Sequence, residues 1–290
     1  MEAWKKALNK ILIPIYFYNF LVYILIIYLL MDNCWVYLLI SKVEGWTNVL
    51  SFYIYNPFLD TNYLTFATIL TCLPQNLHDT LIGNMLGDGH LRKQFTPLRG
   101  KKDQLGRPQT NRNAYYSMTS KSYEYIMHLW SKYYFTICTK NLPRPWPNPK
   151  TGLPVKQYTF QTKSYPELSY LHKLWYRWSD ELKKYIKIVP INICDLLTPI
   201  GLAYWIMDDG YKSDNGVVLC TDSFTLDEVN LLVSVLKDNF DLIATINRKA
   251  KKGKLIGWRI RISGESENRD KLLSIVKPYF IPCMFYKLNI

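Results

Sequence analysis

The apolar positions of the sequence divide the chain into two regions of different character. Residues 11–30 (ILIPIYFYNFLVYILIIYLL) contain no charged side chain, and a second uncharged run follows at 33–41. A run of this length can cross a bilayer as a helix, and the three lysines before it resemble the positive flank of a membrane segment. We therefore expect residues 1–72 to form a hydrophobic leader or a membrane segment, and the pattern does not choose between them.

From Leu73 onward the apolar positions follow the periods of ordinary helices and strands, so the pattern predicts a soluble domain. Asn76 is the predicted N-cap of the first helix, which Gly87 ends. The predicted elements that follow are a strand at 90–93, a strand at 114–120, a helix at 122–135, a strand at 155–164 and a helix at 166–178. The segments 94–113 and 142–154 contain several prolines and glycines and are predicted to be loops.

The second part of this domain repeats the same order of elements. Thr198 and Pro199 are a predicted N-cap and first-turn pair. They are followed by a helix at 200–209, a strand at 216–223, a helix at 225–240, a hairpin of 242–249 with 254–264, and a helix at 268–280. Each part runs helix, strands, helix, strands, helix, which indicates an internal duplication in element order rather than in residue identity.

The charge distribution separates the same two regions. The formal net charge is +13, and residues 1–75 contain as many acidic as basic side chains, so the whole excess lies on residues 76–290. A basic excess of this kind favours a polyanionic partner, either nucleic acid or an anionic membrane. The six cysteines form no CxxC pair and the four histidines are scattered, which argues against a zinc site.

Two short stretches carry the candidate chemistry. Residues 81–89 (LIGNMLGDG) and 202–210 (LAYWIMDDG) each place an Asp-Gly pair directly after an apolar helical segment. An aspartate is unfavourable there, because the C-terminal end of a helix dipole is negative. One Asp-Gly pair could simply form a turn, but two copies that open duplicated halves favour a shared function.

Small residues in the first stretch predict how the two copies meet. Gly83 and Gly87 lie on one helix face, and small residues let two helix backbones approach closely. Helices packed in this way would bring Asp88 and Asp209 together at one end, where two carboxylates repel each other and raise a pKa. A divalent cation relieves that repulsion, oxygen ligands suit Mg²⁺, and paired metal ions suit phosphodiester cleavage.

The two stretches resemble the paired motifs of the LAGLIDADG homing endonucleases, in particular the single-chain type encoded in organellar group I introns. The matching positions are Leu81, Gly83, Asp88 and Gly89 in the first motif and Leu202, Ala203, Asp209 and Gly210 in the second. Three longer stretches are also family-like and stand in the expected order: 197–210, 223–233 and 277–288. The resemblance covers a first half at 73–190 and a second half at 191–290, and it leaves residues 1–72 unexplained.

This resemblance implies an α+β fold of two pseudo-symmetric αββαββα halves. The motif helices would form the central interface, and the two sheets would form a saddle over DNA. Asp88 and Asp209 would be catalytic metal ligands, and the backbone carbonyls of Gly87 and Asp208 would be added ligands. The implied cofactor is Mg²⁺, as two or three divalent ions, with Mn²⁺ as a substitute.

The family also keeps one basic residue near each catalytic centre. In this sequence the matching residues are Lys187 and Lys287. A lysine in that position can orient the attacking water or stabilise charge in the transition state.

The strands and loops of such a saddle would contact DNA, and both halves offer basic or amide side chains for this purpose. The candidates are Arg92, Lys93, Arg99, Lys101, Lys102, Arg107, Arg112, Lys156, Gln157, Lys163, Lys212, Arg248, Lys249, Lys251, Lys252, Lys254, Arg259 and Arg261. Arg259 and Arg261 alternate and therefore share one strand face, which suits a β-ribbon in the major groove of DNA.

Together these features predict a site-specific endonuclease that hydrolyses both strands of a double-stranded DNA target and leaves a staggered break. An RNA maturase that assists splicing of its host group I intron is an alternative with the same fold. A membrane-anchored protein with a basic domain is a third interpretation, and it depends only on residues 11–30. The chain is expected to act as a monomer in a mitochondrion or a plastid.

Overall fold

A computed structural model describes residues 35–39, 51–55, 73–93, 113–251, 253–288 and 290. Contacts between residues divide the chain into one unit at 1–69 and another at 70–290. The first unit contains an antiparallel hairpin of β1 (Trp35–Leu39) and β2 (Ser51–Tyr55). The apolar run at 11–30 lies outside the described residues, and within them no helix combines the length and apolar character needed to cross a membrane. The proposed boundaries at 72 and 190 stay predictions.

The first half of the larger unit has the predicted αββαββα order. Its elements are α1 (Gln75–Leu86), β3 (His90–Lys93), β4 (Ala114–Ser120), α2 (Tyr123–Leu129), β5 (Arg144–Trp146), β6 (Gln157–Gln161) and α3 (Pro166–Trp175). One π-helical turn at Trp130–Tyr134 continues α2. The strands form an antiparallel sheet in the order β3-β4-β6-β5.

The second half repeats this topology after a connecting hairpin and a short helix. The connection consists of β7 (Tyr176–Ser179), β8 (Lys184–Lys187) and α4 (Ile193–Leu196). The repeat consists of α5 (Pro199–Asp209), β9 (Gly210–Ser213), β10 (Gly216–Leu219), α6 (Leu226–Phe240), β11 (Ala244–Lys251), β12 (Lys254–Ile262) and α7 (Ser266–Val276). Two 3₁₀ segments, Lys277–Tyr279 and Pro282–Lys287, follow. The sheet order β9-β10-β12-β11 matches that of the first half, so the α+β fold of two related halves is confirmed.

The helices α1 and α5 pack against each other in the interior of the larger unit. From Leu77 to Leu86 every residue of α1 is buried, and the same holds for α5 from Gly201 to Asp208. The buried run of α1 includes polar side chains such as Asn84. A Cβ atom added to Gly83 would stand 2.1 Å from the carbonyl oxygen of Gly201, so the two backbones touch without side chains between them, as the glycine pattern predicts.

The N-terminal ends of these two helices differ from each other. The Thr198 hydroxyl accepts a hydrogen bond from the Gly201 N–H at 3.2 Å, which confirms the predicted N-cap of α5. The predicted N-cap of α1, Asn76, is wrong. The helix begins at Gln75, and the carbonyl of Pro74 already accepts the N–H of His78 at 3.0 Å.

Several predicted boundaries are also wrong: the strand predicted at 216–223 ends at Leu219, and the helix predicted at 268–280 is Ser266–Val276. Pairing between strands moves two more. The helix predicted at 166–178 ends at Trp175, because Tyr176 pairs with Lys187 in the β7–β8 hairpin. The first strand of the last hairpin runs further into the basic segment than predicted, since β11 continues to Lys251 and pairs there with Lys254. A tight turn is possible there because Gly253 has a φ of +76°, which glycine adopts without strain.

Candidate active site

The close contact of α1 and α5 places their C-terminal ends side by side. A Cβ atom added to Gly87 would lie 2.4 Å from the Cβ of Asp208, so Gly87 leaves the space that the Asp208 side chain occupies. The next residue along the chain is in each case the predicted catalytic aspartate, Asp88 or Asp209. Each helix then runs into the first strand of its own sheet, β3 or β9.

The two aspartates are close enough to affect each other. Asp88 is exposed, but the surrounding protein displaces enough water to raise its pKa, while Lys287, Lys187 and His90 act in the opposite direction. Asp209 is half-buried, and its pKa rises to about 7, first because of lost hydration and then because of the negative charge of Asp88. The pair therefore carries the mutual repulsion expected of two carboxylates that share a site.

A lysine caps the end of each motif helix. Lys187, the last residue of β8, donates from Nζ to the carbonyl oxygens of Gly87 at 2.8 Å and Gly89 at 2.9 Å. Burial lowers the pKa of this lysine to about 8. The ammonium supplies the positive charge that the C-terminal end of α1 lacks in its own last turn.

The second lysine occupies the equivalent position on α5. Lys287, at the end of the last 3₁₀ segment, is buried and donates from Nζ to the carbonyl oxygens of Met207 and Asp208, the latter at 2.8 Å. Loss of hydration lowers its pKa. The structure thus places the two predicted lysines in equivalent positions, although they lie 100 residues apart in the sequence.

Asp208 differs from its neighbour Asp209 because its carboxylate points into the protein. It accepts hydrogen bonds from the amide of Asn84 at 2.9 Å and from the hydroxyl of Tyr125. The Asn84 oxygen in turn accepts the hydroxyl of Tyr134 at 3.0 Å. Burial raises the pKa of Asp208, and these hydrogen bonds oppose the rise. The hydrogen bond from Lys287 goes to the main-chain carbonyl of Asp208, and the role of this carbonyl as a metal ligand stays a prediction.

The predicted ligand set contains only oxygen, which suits a small hard cation. It consists of the Asp88 and Asp209 carboxylates and the carbonyls of Gly87 and Asp208. Among the described residues no group of three or more histidine, cysteine, aspartate or glutamate side chains forms a metal site. A set with two carboxylates is sufficient for Mg²⁺, which usually keeps several waters and uses phosphate oxygens of the substrate as further ligands.

A cleft of about 480 Å³ opens beside Asp88 and Lys287. His90 lies in this cleft and donates from Nδ1 to the carbonyl of Asp88 at 2.6 Å. Other polar residues that line the cleft are Arg92, Ser117, Thr119, Lys121 and Gln157. Of these only Arg92 and Gln157 were predicted, because serine, threonine and histidine carry no charge excess that marks them in the sequence.

Strand register sorts the predicted DNA contacts into two groups. The helices cover the sheet face that carries Tyr116, Phe160, Ile260 and Ile262, all buried. We call the opposite side the outer face. Of the predicted contacts it carries Arg92, Gln157, Lys249, Arg259 and Arg261. Lys156, Lys163, Lys251 and Lys254 lie at exposed strand ends.

Three predicted contacts point to the helix side instead. Lys93 pairs with buried Ala114, Lys212 pairs with Val217, and Arg248 pairs with Trp258. Because directly opposed residues of an antiparallel pair share a face, the register argues against DNA contacts from these three. The remaining candidates lie outside the described residues: Arg99, Lys101, Lys102, Arg107, Arg112 and Lys252.

The outer face also carries two residues of β5 that the sequence pattern did not indicate. Arg144 pairs with Thr159, and Trp146, which is 56% exposed, pairs with Gln157. Both belong to β5, which lies in the proline-rich segment predicted to be a loop. Their pairing with β6 was not visible in the sequence, since three residues are too few to show alternation.

Comparisons with known proteins find relatives in sequence and in structure. Residues 78–269 match the model of the LAGLIDADG DNA endonuclease family. The chain is 29% identical over 226 residues to the DNA endonuclease I-ChuI of Chlamydomonas applanata, covering 75% of this chain and 96% of that protein. It is 36% identical over 157 residues to the intron-encoded endonuclease ai4 of Dictyostelium discoideum, covering 53% of this chain and 92% of the relative.

Two further relatives extend the comparison. The cytochrome b mRNA maturase bI2 of Saccharomyces cerevisiae is 32% identical over 223 residues, which cover 75% of this chain and 48% of the maturase. The solved structure of the homing endonuclease I-WcaI bound to its DNA recognition sequence aligns with a TM-score of 0.59 and 26% identity. That alignment covers 80% of this chain and 95% of the solved chain.

Proposed function

This chain belongs to the LAGLIDADG DNA endonuclease family, and from this premise we propose that it is a site-specific homing endonuclease. It binds double-stranded DNA across the outer faces of its two sheets and hydrolyses both strands, leaving a staggered break. One observation carries the proposal: two carboxylates stand at adjoining helix ends, each beside a lysine that caps the helix. Two equivalent centres suit the cleavage of two strands.

The metal ligands are proposed to be the carboxylates of Asp88 and Asp209 with the carbonyls of Gly87 and Asp208. A divalent cation bound there would neutralise charge on the scissile phosphate and lower the pKa of an attacking water. We propose Mg²⁺ as this ion, with Mn²⁺ as a substitute. The negative charge of Asp88, which helps to raise the pKa of Asp209, supports a cation at this site.

The two lysines hold the site together and place positive charge beside the phosphate. An ammonium has three N–H donors, and Lys187 uses two of them for the carbonyls of Gly87 and Gly89. One donor therefore remains for a phosphate oxygen or a water molecule. Lys287 is bound more tightly, since the carbonyl of Ile206 at 3.5 Å lies near it in addition to those of Met207 and Asp208.

A single chain supplies both halves of the site, so we propose that the enzyme acts as a monomer. The names of relatives, which include intron-encoded endonucleases and cytochrome b mRNA maturases, support an origin in an organellar intron, in a mitochondrion or a plastid. Contact with a membrane through residues 11–30 stays a separate prediction.

A maturase role is the second candidate, and the similarity to the yeast cytochrome b mRNA maturase favours it. This chain spans about half of that relative's length. If the chain assists splicing, it should bind its host intron RNA and accelerate splicing in vitro, and the variant Asp88→Asn should still do so. Splicing at the same rate with and without the protein would argue against this role.

The direct test of nuclease activity uses a plasmid that carries the intronless allele of the host gene. With Mg²⁺ we expect one linear product with staggered ends. We expect no product after chelation of the metal with EDTA, and recovery of cleavage when Mg²⁺ or Mn²⁺ is restored. The allele that contains the intron is the matched control and should stay intact, because the intron interrupts the target. Cleavage that continues in EDTA would contradict the metal-dependent mechanism.

A further inference from the structure

A cluster of charged residues on the outer face of the second sheet lies next to the active site. Asp222 accepts hydrogen bonds from Arg259 through both oxygens, from Nε at 2.9 Å and from Nη2 at 2.9 Å. It also accepts one from Lys249 at 2.6 Å. Arg259 donates from Nη1 to the hydroxyl of Tyr211 at 3.0 Å, and its guanidinium lies 5.5 Å from the centre of that ring. The Arg259 side chain is therefore held on two sides.

The loop that carries Asp222 is fixed to the same strand as Arg259. The hydroxyl of buried Thr221 donates to the carbonyl of Trp258 at 2.7 Å. A Cβ atom added to Gly257 would lie 2.6 Å from the carbonyl oxygen of Asp222, so the loop backbone rests directly on a glycine of β12. Asp222 and Arg259 thus have a common support.

This cluster is also connected to the catalytic end of α5. The N–H of Cys220, two residues before Asp222, donates to the carbonyl of Asp209 at 3.0 Å. The negative charge of Asp222 is near enough to contribute to the raised pKa of Asp209. A group held by Asp222 therefore lies near Asp209.

The donor count of the guanidinium shows what Arg259 has left to offer. An arginine has five N–H donors. Asp222 takes two of them and Tyr211 takes a third. One N–H remains on each terminal nitrogen, and the side chain keeps 21% of its surface exposed. Paired N–H donors of this kind match the O6 and N7 acceptors of guanine in the major groove.

We propose that Asp222 is a positioning residue that holds Arg259 so that its two remaining N–H groups read a guanine next to the bond cut at Asp209. The proposal rests on the proposed function, because it requires DNA on the outer face. Fixing the guanidinium before binding reduces the entropy lost when it meets the base. The alternative acceptor for these N–H groups is a pair of phosphate oxygens. A phosphate contact carries no sequence information, so a preference for one base distinguishes a guanine contact from a phosphate contact.

The test uses a cleavable target selected by the wild-type chain from a randomised double-stranded DNA library. Every single-base variant of this target is then cleaved by wild type, by Asp222→Asn, by Arg259→Lys and by the double variant. We expect wild type to discriminate for guanine at one position near the cut. Asp222→Asn should reduce that discrimination about tenfold and leave other positions unchanged, since one bidentate base contact contributes about this much.

Arg259→Lys keeps the positive charge but lacks the paired N–H donors of the guanidinium, so it should lose the same discrimination for guanine. The double variant should lose no more than either single variant, because both substitutions remove one contact. Asp241→Asn is the matched control. Asp241 also pairs with two basic side chains, Lys237 and Lys271, but it lies at the end of α6, and its variant should retain the wild-type profile.

Two results would overturn the proposal. One is an unchanged base profile in either Asp222→Asn or Arg259→Lys, and the other is an equal loss of cleavage on every target, which indicates a phosphate contact or a structural role. If Asp222→Asn does not fold, Asp222→Glu takes its place, since it keeps the charge but displaces the carboxylate and should also reduce the discrimination. If wild type cuts no member of the library, the nuclease proposal fails. The base preference of DNA binding, measured on the same library, then decides the role of Arg259 separately.

Discussion

Replacement of Asp209 by asparagine is expected to lower the formation of linear plasmid by at least about 100-fold, the loss that follows when one group that stabilises transition-state charge is removed. Asp88→Asn should have the same effect. Asparagine keeps the shape of the side chain but has no negative charge to hold a cation. Because each centre is assigned to one strand, nicked circles are the most that either variant should produce.

DNA binding by these two variants should be retained or slightly tighter, because a negative charge next to the phosphates has been removed. Cleavage is measured on supercoiled plasmid, and binding is measured by titration of a labelled duplex in Ca²⁺ or EDTA. Asp180→Asn is a suitable control, because Asp180 is an exposed aspartate near Lys183 and lies outside the cleft. Linear product at the wild-type rate from Asp88→Asn or Asp209→Asn would contradict the assignment.

Asp208, the residue before Asp209, is expected to respond differently to the same substitution. Asp208→Asn replaces an oxygen that accepts a hydrogen bond from Asn84 or Tyr125 by an amide that can only donate. One buried donor then loses its partner, which costs about 1–3 kcal/mol in the free energy of unfolding. We therefore expect a lower melting temperature for Asp208→Asn, and little change in melting temperature for Asp209→Asn.

The paired motifs could be found from the sequence because their chemistry is local. The sequence also predicted the strand at 114–120, which matches β4 residue for residue. The two lysines beside the aspartates, by contrast, could not be identified from the local sequence. Neither Lys187 nor Lys287 is near an aspartate in sequence, and only the resemblance to a family indicated them. In the structure each lysine is delivered by a separate element, β8 or the last 3₁₀ segment.

The network around Asp208 could not be predicted, and the reason is physical. It joins Asn84 of α1, Tyr125 of α2 and Tyr134 of the π-helical turn, and each of these residues alone fits an ordinary buried helix. The side of the sheet to which each basic side chain points could not be predicted either. Lys93 and Arg92 are neighbours, but alternation along β3 sends them to opposite sides of the sheet. Side-chain direction follows from register, and register depends on partners far away in sequence.

The largest effect on stability is expected at Gly83. In Gly83→Ala the new methyl group would lie 2.1 Å from the carbonyl oxygen and 2.9 Å from the carbonyl carbon of Gly201. Both are backbone atoms and cannot rotate away, so the helices α1 and α5 must separate. Overpacking of this kind costs about 3 kcal/mol, which exceeds the gain of about 1 kcal/mol that alanine brings to a helix.

Separation of these helices also moves the two carboxylates, since Asp88 and Asp209 follow directly at their ends. A displacement of about 1 Å can lower a reaction rate 100-fold, so Gly83→Ala should lose cleavage even at temperatures where it is folded. Thermal unfolding and plasmid cleavage of the same preparation measure both effects.

Gly201→Ala is the matched variant on the partner helix. Its methyl group would meet Leu197 Cδ1 at 3.1 Å and the Asp79 carbonyl oxygen at 3.3 Å. The leucine methyl can shift and the carbonyl contact is only slightly short, so the loss of stability should be clearly smaller than for Gly83→Ala. Equal melting temperatures for the two variants would show that the contact of Gly83 with Gly201 does not set the distance between the helices. The close approach at Gly83 would then not explain the position of the two aspartates.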